Sequence, residues 1–157
     1  MKKEVVSVYV DNKANVLSRV VSLYGRRGFN IDSLTVSATN DPGISRITIV
    51  FEGDNLTLHQ IVAQTEKLEV VRSIKTLDGS KSFFRELLMI KVKADQSKRR
   101  EIKEIVDIFR AKIINLTKEE MVLELTGAPE KLDAFLDMLT DYNITDICRT
   151  GVTGIEK

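Results

Sequence analysis

Few residues in this chain of 157 could do chemistry: there is a single His, His59, a single Cys, Cys148, and no Trp. His59 lies in Leu58-His59-Gln60-Ile61 beside an apolar helical stripe, with no sequence-visible carboxylate to orient it. It reads as a boundary histidine rather than a general base. Cys148 falls in a terminal alternating segment and reads as a small packed residue rather than a nucleophile. One Cys and one His exclude an internal disulfide, a Cys-rich zinc site and a multi-histidine metal site. The carboxylate pairs Glu101/Glu104 and Asp133/Asp137 fall on the polar sides of amphipathic helices, where solvation accounts for them. Gly25 and Gly28 close a helix instead of opening one, so they match neither a dinucleotide fingerprint nor a P-loop.

One loop stands out. Asp11-Asn12-Lys13-Ala14-Asn15 joins a strand to a helix, so its backbone N–H groups lie at a helix N-terminus. Orphan N–H donors and the helix dipole together favour a carboxylate there. Asn12 adds an amide with both donor and acceptor groups, and Asn30, opening the next strand, could add another. The competing reading is structural: Asn12 and Asn15 as turn and N-cap residues, Asn30 as a turn residue. Composition alone leaves both open.

The elements that would position this loop follow from periodicity. Val6, Val8 and Val10 alternate on a strand, and Val16, Leu17, Val20, Val21 and Tyr24 recur at helical spacing. Residues 30–39 and 44–51 read as strands around the turn Asn40-Asp41-Pro42-Gly43. Asp54 or Asn55 can cap a helix carrying Leu58, Ile61, Val62 and Thr65, and residues 70–77 make a fourth strand. The order βαββαβ then repeats: strand 86–93, a helix capped by Ser97, strands 111–116 and 121–126, a helix starting at Pro129, and a strand near 143–149. The expected class is α+β, with two consecutive ferredoxin-like domains at 1–77 and 83–157 and a polar linker at 78–82. In that architecture both helices lie on one sheet face. Val5 and Tyr9, or Leu87 and Met89, then line an open face that the sibling domain or a second chain should cover, and a homodimer is expected.

Charge excludes other classes. The 24 Lys+Arg against 23 Asp+Glu give no basic excess for phosphate backbones. The strand at 44–51 also lacks the aromatic signature of an RNA-recognition motif, which shares the same element order. The apolar run near the N-terminus is too short for a signal sequence or a bilayer span, so a cytoplasmic protein is expected.

Longer motifs point further. Asp11-Asn12-Lys13-Ala14-Asn15-Val16-Leu17-Ser18-Arg19-Val20, Arg26-Arg27-Gly28-Phe29-Asn30-Ile31-Asp32-Ser33-Leu34-Thr35-Val36 and Asp41-Pro42-Gly43-Ile44-Ser45-Arg46 resemble the small regulatory subunit of acetolactate synthase (acetohydroxyacid synthase), an ACT-domain family. Ile108-Phe109-Arg110-Ala111, Lys131-Leu132-Asp133-Ala134-Phe135 and Arg149-Thr150-Gly151-Val152 carry the same resemblance through the second half. The resemblance implies an ACT domain in the first half and no catalysis by this chain. It implies a partner, the large catalytic subunit, whose thiamine diphosphate, Mg2+ and FAD belong to that partner and not to this chain. The small subunit would raise the partner's activity and transmit feedback by valine, or by leucine or isoleucine, in branched-chain amino acid biosynthesis. It places the effector at an ACT–ACT dimer interface, between Asn12, Ala14, Asn15, Val16 and Leu17 of one chain and Asn30, Ile31 and Thr35 of its neighbour. The second domain and the tail Gly151–Ile155 would modulate or transmit the response. One departure is visible, since the family usually has Gly at the position of Asn15. Glycine enters the left-handed region freely, whereas Asn tolerates it but brings a side chain into the loop. Such a substitution could weaken valine binding, retune the effector or abolish the response. A stand-alone ACT-type amino-acid sensor acting on another enzyme or a repressor is the alternative.

Overall fold

The fold is described from a computed structural model, over residues 2–157; Met1 lies outside the described residues. The elements are β1 (Lys2–Asp11), α1 (Val16–Arg26), β2 (Ile31–Ala38), β3 (Ile44–Gly53), α2 (Asn55–Glu66), β4 (Val71–Thr76), β5 (Ser82–Lys93), α3 (Gln96–Phe109), β6 (Lys112–Leu116), β7 (Glu120–Gly127), α4 (Pro129–Met138), β8 (Asn143–Arg149) and β9 (Thr153–Glu156). Packing divides the chain into two compact units. One comprises residues through Phe83 together with Gly151–Lys157, and the other comprises Phe84–Thr150.

In the first unit the sheet order is β2-β3-β1-β4. The alternation that predicted β1 sets its register, pairing Val6 with Ile49 and Val8 with Ile47 on β3. All four are buried on the helix side, where Val16, Val20 and Tyr24 of α1 and Ile61 of α2 close the core. Phe29 is partly buried and packs against this core.

The opposite face of that sheet is not bare. Val5, Ser7, Thr48 and Val50 are all buried, and part of their cover is the chain's own C-terminal segment. The Val152 N–H donates to Ser33 Oγ at 3.4 Å, and Lys75 Nζ meets Glu156 Oε2 at 3.3 Å. The Arg46 guanidinium donates to the Gly154 carbonyl and also to Ser7 Oγ, the latter at 2.7 Å. β9 pairs with β5, whose first residues Ser82 and Phe83 belong to this same unit. Periodicity shows no ninth strand, and the last seven residues belong to the first unit rather than to the expected 83–157 domain.

In the second unit β6-β7-β5-β8 form the sheet. Leu88, Ile90 and Val92 of β5 and Leu123 and Leu125 of β7 meet Ile102, Ile105, Leu132 and Phe135 of the helices in a separate core. Ser97 does not cap α3. Asp95 does, accepting from the Ser97 and Lys98 N–H groups at 3.0 Å each, because its extended backbone aims the carboxylate back over the first turn.

Candidate functional site

The loop after β1 is held at both ends by polar contacts of its own unit. Asp11 Oδ1 accepts from Arg72 Nε at 2.6 Å, and the Asp11 N–H donates to the Val70 carbonyl at 3.0 Å. Asn12 ties the loop to the β2–β3 turn: its N–H donates to the Gly43 carbonyl at 2.9 Å and its Nδ2 to the Pro42 carbonyl at 3.1 Å. These bonds realise the structural reading of Asn12 as a turn residue.

Asn15 is the N-cap residue of α1, with φ 66° and ψ 2°, and its side chain makes no capping hydrogen bond. The position demands the left-handed region, where glycine costs least and asparagine comes next. The first turn of α1 carries no acidic residue. The Val16 side chain is buried in the core, so its contribution at the helix end is its N–H. Ala14 is exposed and small, and Leu17 is 40 % exposed, an apolar surface next to the helix end.

The other helices close their N-termini differently. Asp54 caps α2, accepting from the Thr57 N–H at 2.8 Å. Asp95 caps α3, and α4 starts at Pro129, which has no N–H to satisfy. Hydrogen bonds hold the carboxyls of Asp54 (from Thr57) and Asp95 (first from Ser97) below their ordinary pKa. Among the described residues, α1 is the one helix with neither a side-chain cap nor a proline start. Its end suits a carboxylate from outside the chain.

The second group of candidate residues lies elsewhere in the same chain. Asn30 is exposed just before β2, and Ile31 opens β2 opposite Phe51. Asp11, at the end of β1, pairs with Ile44 at the other end of β3. From Ile44 to Phe51 is about 23 Å at the usual rise per strand residue. One chain thus keeps Asn12–Leu17 and Asn30–Ile31 at opposite ends of its sheet. Thr35 stands apart from both groups. Leu34 faces the helices, so Thr35 points to the other face, where its Oγ1 is buried beneath Gly151 without a hydrogen-bond partner. Sequence reasoning missed Gly151 and Arg46 as neighbours of β2 and β3. The pair of glycines in the tail, Gly151 and Gly154, was the available signal.

The first unit is a ferredoxin-like fold with an uncapped helix after its first strand, and residues 6–73 match the family model for the AHAS small subunit-like ACT domain, which makes it an ACT-class module. Residues 85–157 match the model for the small subunit of acetolactate synthase. The chain belongs to the acetolactate synthase small subunit family. It is 43 % identical to the probable acetolactate synthase small subunit of Archaeoglobus fulgidus, over 95 % of this chain and 93 % of that one. It is 44 % identical to the acetolactate synthase small subunit of Mycolicibacterium smegmatis, over 97 % of this chain and 89 % of that one. With the acetolactate synthase isozyme 3 small subunit of Salmonella typhimurium it shares 39 % identity, over 99 % and 96 %. The crystal structure of the small subunit from Thermotoga maritima superposes with a TM-score of 0.92 at 38 % identity, covering 100 % of this chain and 98 % of that one. No helix among the described residues is long and apolar enough to cross a membrane.

Proposed function

We propose that this chain is the regulatory subunit of a cytoplasmic acetolactate synthase. It binds the large catalytic subunit, raises its turnover, and carries feedback inhibition by valine or a related branched-chain amino acid. Thiamine diphosphate, Mg2+ and FAD act in the catalytic partner. The observation that carries the effector assignment is the open N-terminus of α1, set beside Asn12 in a loop braced to β4 and to the β2–β3 turn. An amino acid's carboxylate meets the N–H groups of Val16 and Leu17, and Leu17 offers apolar surface to its branched side chain.

The separation of Asn12 from Asn30 supports a site shared by two copies. β2 is an edge strand with one side unpaired. Antiparallel pairing of two such edges about their midpoints sets the Ile31 of one copy opposite Ala38 of the other. Ala38 pairs with Ser45, next to the Gly43 carbonyl that Asn12 binds. A two-fold through β2 therefore unites the two groups that a single chain keeps apart.

Two experiments test this reading. Mixing the chain with acetolactate synthase large subunit raises turnover if the assignment holds; absence of both association and activation refutes it and returns the stand-alone sensor. Titration calorimetry with valine, leucine and isoleucine then locates the site. Asn12→Ala and Asn30→Ala each weaken binding, and Asn15→Gly strengthens it by clearing a side chain from the loop without losing the required φ. Binding unchanged in Asn12→Ala and Asn30→Ala places the effector elsewhere.

A further inference from the structure

The C-terminal segment lies on the sheet face away from the helices, and its closest approach is to β2. A methyl group built on Gly151 would sit 2.5 Å from Thr35 Oγ1 and 2.7 Å from the Leu34 carbonyl oxygen. No side chain fits there without moving either the tail or the strand. Beyond Gly151, the Val152 N–H reaches Ser33 Oγ and the Val152 side chain is 5 % exposed. Arg46, stacked over the Tyr9 ring at 5.5 Å, then fixes the Gly154 carbonyl. The tail is thus bonded to β2 and, through Arg46, to β3 and β1.

β2 gains from this more than its neighbours do. It is an edge strand paired on one side, with a register shift between Ile31 and Ser33, and every one of its residues is partly or fully exposed. An edge with so little burial opens locally at low cost unless something else holds it. Besides its ladder with β3, β2 is held by the Lys3–Asp32 ion pair at 3.3 Å near its start and by Gly151–Val152 along Ser33–Thr35. The close approach also buries the Thr35 hydroxyl without a partner, a loss that the docked tail must offset.

We propose that Gly151–Glu156 is an intramolecular clamp that sets the conformation of β2, with Gly151 as its positioning residue, so that effector affinity depends on tail docking. The proposal rests on the effector reading above, because β2 carries Ile31 and its edge is the seam between copies. Arg46 contacts none of the groups expected to hold the ligand, and of those groups Gly151 meets only Thr35, on the sheet face away from the helices; both act through the strand. Docking and binding are then linked, and linkage is reciprocal: whatever the tail contributes to effector affinity, the effector returns to tail docking.

The test uses the full chain and the variants Gly151→Ala and Arg46→Ala, which undo the clamp at separate points. Hydrogen exchange is followed at the amides of Leu34–Val36 and of Val152, and valine, leucine and isoleucine are titrated by calorimetry. Both variants are expected to keep the wild-type circular dichroism, to exchange faster at Leu34–Val36, and to bind effector about tenfold more weakly, within the usual range of allosteric coupling. In wild-type protein, saturating effector slows exchange at Val152, a response that a merely structural glycine would not give. Wild-type exchange at β2 in both variants overturns the clamp. Unchanged effector affinity despite faster exchange overturns its coupling to the site. Should Gly151→Ala fail to fold, Arg46→Ala decides alone. A wild-type chain that binds none of the three amino acids refutes the effector reading instead, and β2 exchange in the variants still decides whether the clamp exists.

Discussion

The two units share an element order but solve the junction between first strand and first helix in opposite ways. In the second unit β5 runs almost directly into α3, and Asp95 places its carboxylate on the helix N-terminus within the same turn. In the first unit the chain spends Asn12–Asn15 in a loop, ends it on a left-handed residue, and leaves α1 without a side-chain cap. The same backbone dipole is satisfied internally in one unit and left for an external anion in the other. Capping trades an open helix end for local stability, and only the first unit leaves the N-terminus of its first helix without a side-chain cap.

The largest expected effect comes from giving the first unit what the second already has. Ser18→Glu adds a carboxylate to the first turn of α1. A like charge about 6 Å from the effector carboxylate, at the effective dielectric of a protein surface, costs about 3 kcal/mol, or a hundredfold in affinity. Calorimetry with valine measures this directly, and an unchanged Kd would mean that the effector does not use this helix end.

Next, among the described residues, are the two non-glycine positions with positive φ, Asn15 (66°) at the start of α1 and Arg110 (57°) at the end of α3. Asn15→Ala destabilises the first unit by up to about 1 kcal/mol, because alanine keeps the β-carbon but lacks the short polar side chain that lets asparagine tolerate that region, whereas Arg110→Gly stabilises the second by about 1 kcal/mol as a glycine helix terminator. Urea unfolding of each variant gives both values.

The cores differ as well. Tyr24 packs edge-on against Phe51 at 5.8 Å in the first unit, where the second pairs Phe109 with Phe135 at 5.2 Å. Burial pushes the Tyr24 phenol up to about 12 despite the nearby Thr65 hydroxyl, and its Oη finds no partner at hydrogen-bond geometry. Tyr24→Phe is neutral or stabilising by about 1 kcal/mol. The unfolded phenol ionises near 10 and the folded one higher, so the stability that depends on Tyr24 is whole below pH 10 and is lost as pH rises toward 12. Thermal melts across that window lose this slope in Tyr24→Phe.

The smallest effect is that of Asp95→Ala. It lowers the second unit's melting temperature by a few degrees and leaves effector affinity unchanged. The hydrogen bonds from Ser97 and Lys98 lower the Asp95 pKa, so the cap's contribution is present above the ordinary carboxylate value. It fades as pH falls through the lowered one. The variant should therefore be less sensitive to acid than the parent over that range.

Much of this architecture is legible in the residues, and the gaps have physical causes. β1, β5 and α3 announce themselves because their apolar residues recur at the period of the face they bury. Asn15 is of a residue type that tolerates the left-handed region, but the demand itself shows only in its φ of 66°. β9 is invisible because four residues, Thr153-Gly154-Ile155-Glu156, bury no periodic side chain; the Gly154 backbone is what the sheet face receives. Gly151 carries no periodic signal and its φ is not left-handed; its value lies in the absent β-carbon. Thr35 matches the family motif, but a residue's motif does not say which sheet face it occupies. Only the register with Thr48 settles that.

The first unit is built from both ends of the chain, which makes the second unit an insertion within it. During synthesis the first βαββαβ segment emerges before Gly151–Lys157, the piece that completes its unit. Closing a loop across the intervening 67 residues carries an entropic cost that grows with the logarithm of its length. The insertion reduces that cost by folding, because its own ends are neighbouring antiparallel strands. Leu88 on β5 pairs with Arg149 on β8, and Leu87 and Thr150 bond to each other through both N–H groups at 2.9–3.0 Å. Once Phe84–Thr150 has folded, Gly151 starts beside β5 instead of at the end of a free chain, and the effective concentration of the tail for its seat rises accordingly. A chain cut after residue 77 keeps every strand and helix of the first sheet but not the segment that finishes it.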